Sequence, residues 1–448
     1  MDNKTIFALS TVYGKSGVAV VRVSGKSALL AVKELTDINI DSIKPRFAYF
    51  SKIYACGKNE VIDNALLIYF KSPYSFNGED IVEFQIHGSK AVILSLIENL
   101  GKLPDFRLAE AGEFSKRAFY NGKMDLTQAE GLADLIDAET KEQQRFAVKQ
   151  MSGNLKDLYN SWRESLIKVL AHIEAYIDFP DEDIPEDVYH NLLNSVFKIS
   201  GEIKNHLNSN KNTERLRDGF NVVIIGRPNA GKSSLLNTII KRDAVIVSDI
   251  AGTTRDAIDL HFDLNGYPVV ITDTAGLRDK TNDIIEEKGI EIAKNRIKNA
   301  DIILALFDAQ TENKNIFANI VKNHENNVIY VANKCDKLSE EQCSELKNNC
   351  DILISAKNNS GIDNLLDKIS EIIKNSFAVS SGAAITRERY RALLTETVEY
   401  LDNFSLDKEI ELSAEDIRLA VRAIGKIVGK VDVDEILDRI FGDFCIGK

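Results

Sequence analysis

The chain has 448 residues, enough for about three domains at roughly 150 residues each, which excludes a small scaffold dependent on disulfide or metal staples. Its 56 Lys plus Arg against 68 Asp plus Glu leave a formal charge of −12, the wrong sign for a general nucleic-acid binder. With 44% apolar and 28% charged residues it has the composition of a globular chain rather than a disordered one.

Cys56, Cys335, Cys343, Cys350 and Cys445 are scattered, without a C-x-x-C pair or spaced His partners, which argues against a disulfide framework or zinc site. Met1–Gly25 lacks a basic start followed by a long apolar run. The longest apolar runs, such as Ile302–Phe307, fall far short of the ~20 residues a membrane helix needs. A reduced, cytoplasmic chain without a membrane span is expected.

From Thr5 to about Phe119 strand and helix patterns mix: Val18–Val23 and Ala65–Phe70 read as strands, Ser89–Leu100 as a helix. An α/β domain is expected over residues 1–119. From about Asp125 to Asn208 the period changes, and Leu126, Ala129, Leu132, Ala133 and Ile136 share one helical face. Phe179–Pro185 interrupts this helical stretch, which is expected to resume at Asn191 and end near Asn208–Lys211. Short apolar runs then alternate with helical lengths: Val222–Ile225, Val269–Thr272, Ile302–Phe307, Asn327–Ala332 and Ile352–Ser355. That is the rhythm of a doubly wound parallel sheet. Ser380–Ala384 reads as a linker before a helical stretch from Thr386 to Phe441. The simplest architecture is a helical domain of residues 120–214 and 380–448 interrupted by an inserted α/β domain, residues 215–379.

Gly226-Arg227-Pro228-Asn229-Ala230-Gly231-Lys232-Ser233 follows an apolar strand and precedes a helix, the context of a phosphate-binding loop. Lys232 would neutralise the β- and γ-phosphates and the Ser233 hydroxyl would ligate Mg²⁺. Asp273-Thr274-Ala275-Gly276 ends a later strand, with Asp273 held to Mg²⁺ through water and the Gly276 amide on the γ-phosphate. Asn333-Lys334-Cys335-Asp336 ends another, where Asp336 would accept from guanine N1–H and its exocyclic amine; adenine would leave that carboxylate unpaired. Ser355-Ala356-Lys357 would back the base. Gly252-Thr253-Thr254-Arg255-Asp256 falls where a first switch belongs, with Thr254 the second hydroxyl on Mg²⁺. The order of the boxes specifies a Ras-like P-loop G domain. After Gly276 stands Leu277, which cannot orient an attacking water. Arg255 and Arg278 are nearby, and acids follow between Asp279 and Gly289.

Together with these boxes, the segment Ser75-Phe76-Asn77-Gly78-Glu79-Asp80-Ile81-Val82-Glu83, the surroundings of Arg22 and the run Phe444-Cys445-Ile446-Gly447-Lys448 resemble the bacterial and organellar tRNA modification GTPases of the MnmE (TrmE) family, within the TrmE-Era-like GTPases. The resemblance implies an N-terminal domain that binds a tetrahydrofolate derivative (5-formyl or methylene) and dimerises, a helical domain, and a G domain stimulated by K⁺ and by G-domain pairing. It implies nucleotide contacts from Asn229 through Ser234, with Ala230 and Gly231 between, and from Ser248, Asp249, Ile250, Ala251, Gly252, Thr253 and Thr254. K⁺ ligands correspond to Asn229, Ser248, Ile250 and Thr253. The water-orienting glutamate corresponds to Glu286, with Glu287 as the rival. The folate site corresponds to Arg22, Glu83 and Lys123, with Lys448 nearby.

Cys445 stands as either a functional thiol or a structural one, and His87 as structural. The family reaction places an aminomethyl or carboxymethylaminomethyl group on carbon 5 of the wobble uridine in certain tRNAs, with flavin redox. No two of the 25 glycines here lie two residues apart, so a G-x-G-x-x-G flavin loop is absent and FAD is expected on the flavoprotein partner MnmG (GidA). Arg418, Arg422, Lys426 and Lys430 make a basic helical stripe, either a solvated face or a tRNA phosphate contact. The alternative function is a ribosome-assembly or signalling GTPase acting only as a binding switch, but no Gly-x-x-Gly RNA-binding segment follows the G domain.

Overall fold

The fold was taken from a computed structural model. It describes residues 3–178, 186–210, 213–242, 259–273, 296–321, 327–347, 349–377, 383–431, 437, 440–442, 444 and 446–447. The chain divides into two compact units, one of Met1–Ala133, Tyr159–Arg163 and Val421–Lys448, the other of Asp134–Leu158 and Glu164–Ala420.

The first unit is built on a six-stranded sheet of β1 (Thr5–Leu9), β2 (Ser16–Ser24), β3 (Ala48–Tyr54), β4 (Val61–Phe70), β5 (Ile81–Gly88) and β6 (Phe106–Leu108). Its order is β3-β4-β5-β2-β1-β6, with β1 and β6 parallel and the other neighbours antiparallel. Alternation sorts the side chains: Val21 and Val23 of β2 and Val82 and Phe84 of β5 enter a core with Leu35 and Leu96 from the helices Ala28–Leu35 and Lys90–Gly101. Arg22 and Glu83, the residues between, stand opposite each other in register on the other face. Near the far end of the chain, Phe441 and Phe444 pack with Leu126 and Ala129. Ile446 bridges Ala111, and the Gly447 carbonyl accepts from Ser10 Oγ at 2.9 Å.

In the second unit, β7 (Phe220–Ile225), β8 (Asp259–Leu264), β9 (Tyr267–Asp273), β10 (Ile302–Asp308), β11 (Val328–Asn333) and β12 (Ile352–Leu353) form a sheet ordered β12-β11-β10-β7-β9-β8. All neighbours are parallel except β8, an antiparallel edge strand absent from the sequence reading. The signal for it was present: Asn265-Gly266, with φ of 53° and 93°, is the two-residue hairpin turn that reverses the chain between Leu264 and Tyr267. Helices of this unit occupy Lys141–Met151, Glu186–Ser209 and Glu388–Asn403. The helix expected from Asn191 starts at Glu186. The two segments flanking the sheet lie side by side: Thr213 Oγ1 donates to the Ile385 carbonyl at 2.5 Å, and Arg391 Nε pairs with Glu214 at 2.8 Å.

Among the described residues no helix is long and apolar enough to cross a membrane, and no group of three or more His, Cys, Asp and Glu is placed to hold a metal ion.

His206, half-buried on the Glu186–Ser209 helix, is pushed from 6.5 down to about 4, first by burial and then by the positive charge of Arg391. The unfolded chain therefore binds more protons between those values, and stability falls as the pH drops through that window. Going from pH 7 to 5 is expected to cost at most about 2 kcal/mol through this group. His206→Gln should flatten that part of the profile in urea denaturation; an unchanged slope counts against the assignment.

Candidate functional site

The phosphate loop arises where the buried strand β7 runs out at the C-terminal edge of its sheet. Two glycines shape it by the space they leave. A Cβ at Gly226 would lie 2.3 Å from the Leu306 carbonyl oxygen, and one at Gly231, which has φ of 101°, 2.2 Å from Asn333 Nδ2. Asn229 also takes a left-handed conformation, φ 67°. The next helix, Lys232–Arg242, starts directly behind, so its first-turn N–H groups and positive dipole end lie at the loop. Lys232 is buried; its Nζ donates to the Gly226 and Arg227 carbonyls at 2.8 and 3.0 Å, which holds the ammonium over the loop. Ser233 and Ser234 are exposed on the first helical turn. Asp273 ends β9, its backbone opposite Ile224 of β7, one strand from the loop.

Asn333 fastens three loops together. Its Nδ2 donates to the Ala230 carbonyl at 2.8 Å, and its Oδ1 accepts from the Ala356 and Lys334 backbone N–H groups at 3.1 and 2.8 Å. Ser355 Oγ donates to Asp336 Oδ1 at 2.5 Å, and the hydroxyl itself accepts from Asn358 N–H at 3.2 Å, so the carboxylate is held in one orientation. Lys334, with φ of 68°, pairs through Nζ with Asp308 Oδ2 at 2.7 Å. Burial raises the Asp308 carboxyl, but Lys334, the Gln310 N–H and the charge of Lys337 together outweigh it and hold the group below its usual range. Burial raises the Cys335 thiol, and the charges of Cys343 and Asp336 add to it, which leaves a poor nucleophile in the loop after β11. Lys357 is exposed just beyond Ala356.

The first unit brings together part of a second cluster. Arg22 Nε and Nη2 donate to Glu83 Oε1 at 3.0 and 2.9 Å, and its guanidinium lies 5.6 Å from the ring centres of both Phe76 and Phe114. The pair of charges that could have faced solvent separately is joined, and aromatic rings flank it. Lys123 lies beside Gly78, where a Cβ would be 3.0 Å from Lys123 Cε. His87, exposed, is paired with Asp63 at 2.8 Å.

Ser248, Asp249, Ile250, Ala251, Gly252, Thr253, Thr254, Thr274, Ala275, Gly276, Leu277, Glu286, Glu287, Cys445 and Lys448 lie outside the described residues.

The family description "MnmE helical domain" matches residues 126–445, and "GTP-binding protein TrmE N-terminus" matches residues 5–123. The tRNA modification GTPase MnmE of Rickettsia bellii (strain RML369-C) is 48% identical over 446 residues, 99% of this chain and 100% of that protein. The chain belongs to the MnmE family of tRNA modification GTPases. The MnmE of Rickettsia prowazekii (strain Madrid E) is likewise 48% identical over 99% of this chain and 100% of its own length. A solved structure of an Era variant from Aquifex aeolicus bound to GDP·AlF4⁻ is similar at 26% identity and a TM-score of 0.28, over 40% of this chain and 66% of that one.

For an MnmE family member, several residues at these clusters went unread in the sequence. Asp308 follows the apolar run of β10, where a charged residue ending a central strand marks the functional edge of the sheet. Phe76 and Phe114 flank the Arg22 guanidinium, and Glu79, Glu113 and Arg117 form a charged group of their own. Arg117 is 4% exposed, with Nη1 3.1 Å from both Glu79 oxygens and Nη2 3.0 Å from Glu113 Oε1. A cationic residue on the buried side of a short helix, four positions after an acid, was the available signal. Arg418, first of the basic stripe, pairs with Glu174 at 2.6 Å and with Glu415.

Proposed function

We propose that this chain is the GTP-hydrolysing component of the complex that adds an aminomethyl or carboxymethylaminomethyl group to carbon 5 of the wobble uridine in certain tRNAs. In this reading it acts in the cytoplasm as a homodimer with the flavoprotein MnmG, which carries the FAD, and draws its carbon from a tetrahydrofolate. The observation that carries the reading is near full-length similarity to tRNA modification GTPases in a chain whose Asp336 is aimed by Ser355 beside a wound phosphate loop.

Lys232 is assigned to the β- and γ-phosphates, and Asp336 to guanine. The oxygen donors present suit hard cations: exposed Asn229 on the loop for K⁺, and the exposed Ser233 hydroxyl on the first helical turn for Mg²⁺. Ser248, Ile250 and Thr253 complete the K⁺ assignment, Thr254 and water-linked Asp273 the Mg²⁺ assignment. Bound there, the two cations neutralise negative charge on the phosphates, the part an arginine finger plays elsewhere. Glu286 accepts a hydrogen bond from the attacking water, which Leu277 cannot do. Arg22, Glu83 and Lys123, with Lys448, hold the folate; Glu83 accepts from ring N–H groups while the cations meet its carboxylates.

Hydrolysis is expected to run at least about tenfold faster in KCl than in NaCl, with Asn229→Ala erasing the difference. Equal rates in the two salts defeat the K⁺ assignment. The whole reading is tested by nucleoside mass spectrometry of tRNA from cells lacking the protein. Loss of the wobble-uridine modification, restored by the parent protein and not by Asp273→Ala, supports it; unchanged tRNA rejects it.

A further inference from the structure

The Phe76–Glu79 turn carries more hydrogen bonds than a link between two strands needs, and they converge on one residue. Asn77 is fully buried, at 0% exposure. Its Nδ2 donates to Ser24 Oγ at 2.8 Å and to Glu79 Oε2 at 3.3 Å, and its Oδ1 accepts from the Glu79 backbone N–H at 3.1 Å. Its carbonyl accepts from Asn121 Nδ2 at 2.8 Å. One residue is thereby tied to β2, to its own turn, and to the loop that leads from the helix Glu113–Tyr120 to Lys123.

The two residues beside Asn77 meet two different cations. Phe76 places its ring centre 5.6 Å from the Arg22 guanidinium carbon. Gly78, with φ of 82°, leaves room for the Lys123 stem that any side chain would fill. Glu79, which accepts from Asn77 Nδ2, is itself held by Arg117.

We propose that Asn77 is a positioning residue that sets the spacing between Arg22 and Lys123 and so sets the affinity of the site for a folate, a role that rests on the folate reading above. A folate presents a flat ring that donates and accepts hydrogen bonds, and carboxylates at its tail. Two cations held at fixed separation meet such a ligand without first being ordered by it. Asn77 touches neither cation; it acts through Phe76, Gly78 and Asn121.

The test is titration calorimetry of the full-length protein with 5-formyltetrahydrofolate, using Asn77→Ala, Asn121→Ala, Lys123→Ala and the two doubles with Lys123→Ala. Asn121 is exposed, so its substitution breaks the bond to the turn without opening the core. Asn77→Ala is expected to weaken binding at least about tenfold and Asn121→Ala about threefold, with GTP affinity unchanged. With Lys123→Ala already present, each should add less than about twofold, the coupling that a merely structural role would not produce. Folded variants that bind within about twofold of the parent, or effects that multiply in full on Lys123→Ala, overturn the proposal. Should Asn77→Ala fail to fold, the Asn121→Ala pair decides. A parent protein that binds no folate removes the folate reading and this role with it, whereas a binding parent with unaffected variants removes only the role of Asn77.

Discussion

Lys232→Ala is expected to lower GTP turnover at saturating nucleotide by about a thousandfold or more, with the fold retained. The ammonium is buried and held over the loop by the Gly226 and Arg227 carbonyls, 2.8 and 3.0 Å away. A charge fixed there in a partly dry environment acts on developing phosphate charge far more strongly than one in bulk water. The loop itself is shaped by other residues: the tight approaches of Gly226 and Gly231 and the Asn333 bond to the Ala230 carbonyl. Removing Lys232 therefore subtracts a charge and not a backbone path. Single-turnover hydrolysis together with circular dichroism checks this, and a folded Lys232→Ala protein within about tenfold of the parent rate would sink the assignment.

The second large effect concerns which base is accepted. Asp336→Asn is expected to lower affinity for GTP by about a thousandfold or more and to create affinity for xanthosine triphosphate. Guanine offers two donors, N1–H and the exocyclic amine, to a carboxylate that accepts only. Asparagine turns one of those oxygens into a donor, which meets the guanine amine badly and the xanthine carbonyl well. Because Ser355 Oγ donates to Asp336 Oδ1 at 2.5 Å, Ser355→Ala should reproduce a small part of the loss, roughly tenfold, without changing the preferred base. Competition binding of the two nucleotides measures both variants. An Asp336→Asn protein that still prefers GTP by the parent ratio contradicts the placement of the base.

How far the sequence revealed the molecule depended on the range of the interactions involved. Strands β7, β9, β10 and β11 were legible because buried parallel strands are continuous apolar runs, and their C-terminal ends carry the nucleotide boxes in chain order. Strand β8, at the sheet edge, alternates Leu260, Phe262 and Leu264 with His261 and Asp263, a fainter signal than the continuous apolar runs of the buried strands, and only the Asn265-Gly266 turn marks its pairing. Asp308, which anchors Lys334 from 26 positions away, and Arg117, which reaches Glu79 across 38, could not be read from spacing, since nothing local pairs them. The Arg22–Glu83 pair shows the same limit: period 2 says that each leaves the core, and only strand register says that they meet.

The bond between Thr213 and Ile385 joins residues 172 positions apart, and every strand of the second sheet lies between them. To the helices on either side, those 172 positions are a loop whose ends already touch. Closing a loop becomes harder only with the logarithm of its length, and a folded insert with adjacent ends adds almost nothing further. The flanking helices are therefore expected to assemble as if the chain were continuous. A bridge of a few glycines across the Thr213–Ile385 clasp should leave a shortened protein that still folds, and a different domain with closely spaced ends could be grafted into the same socket.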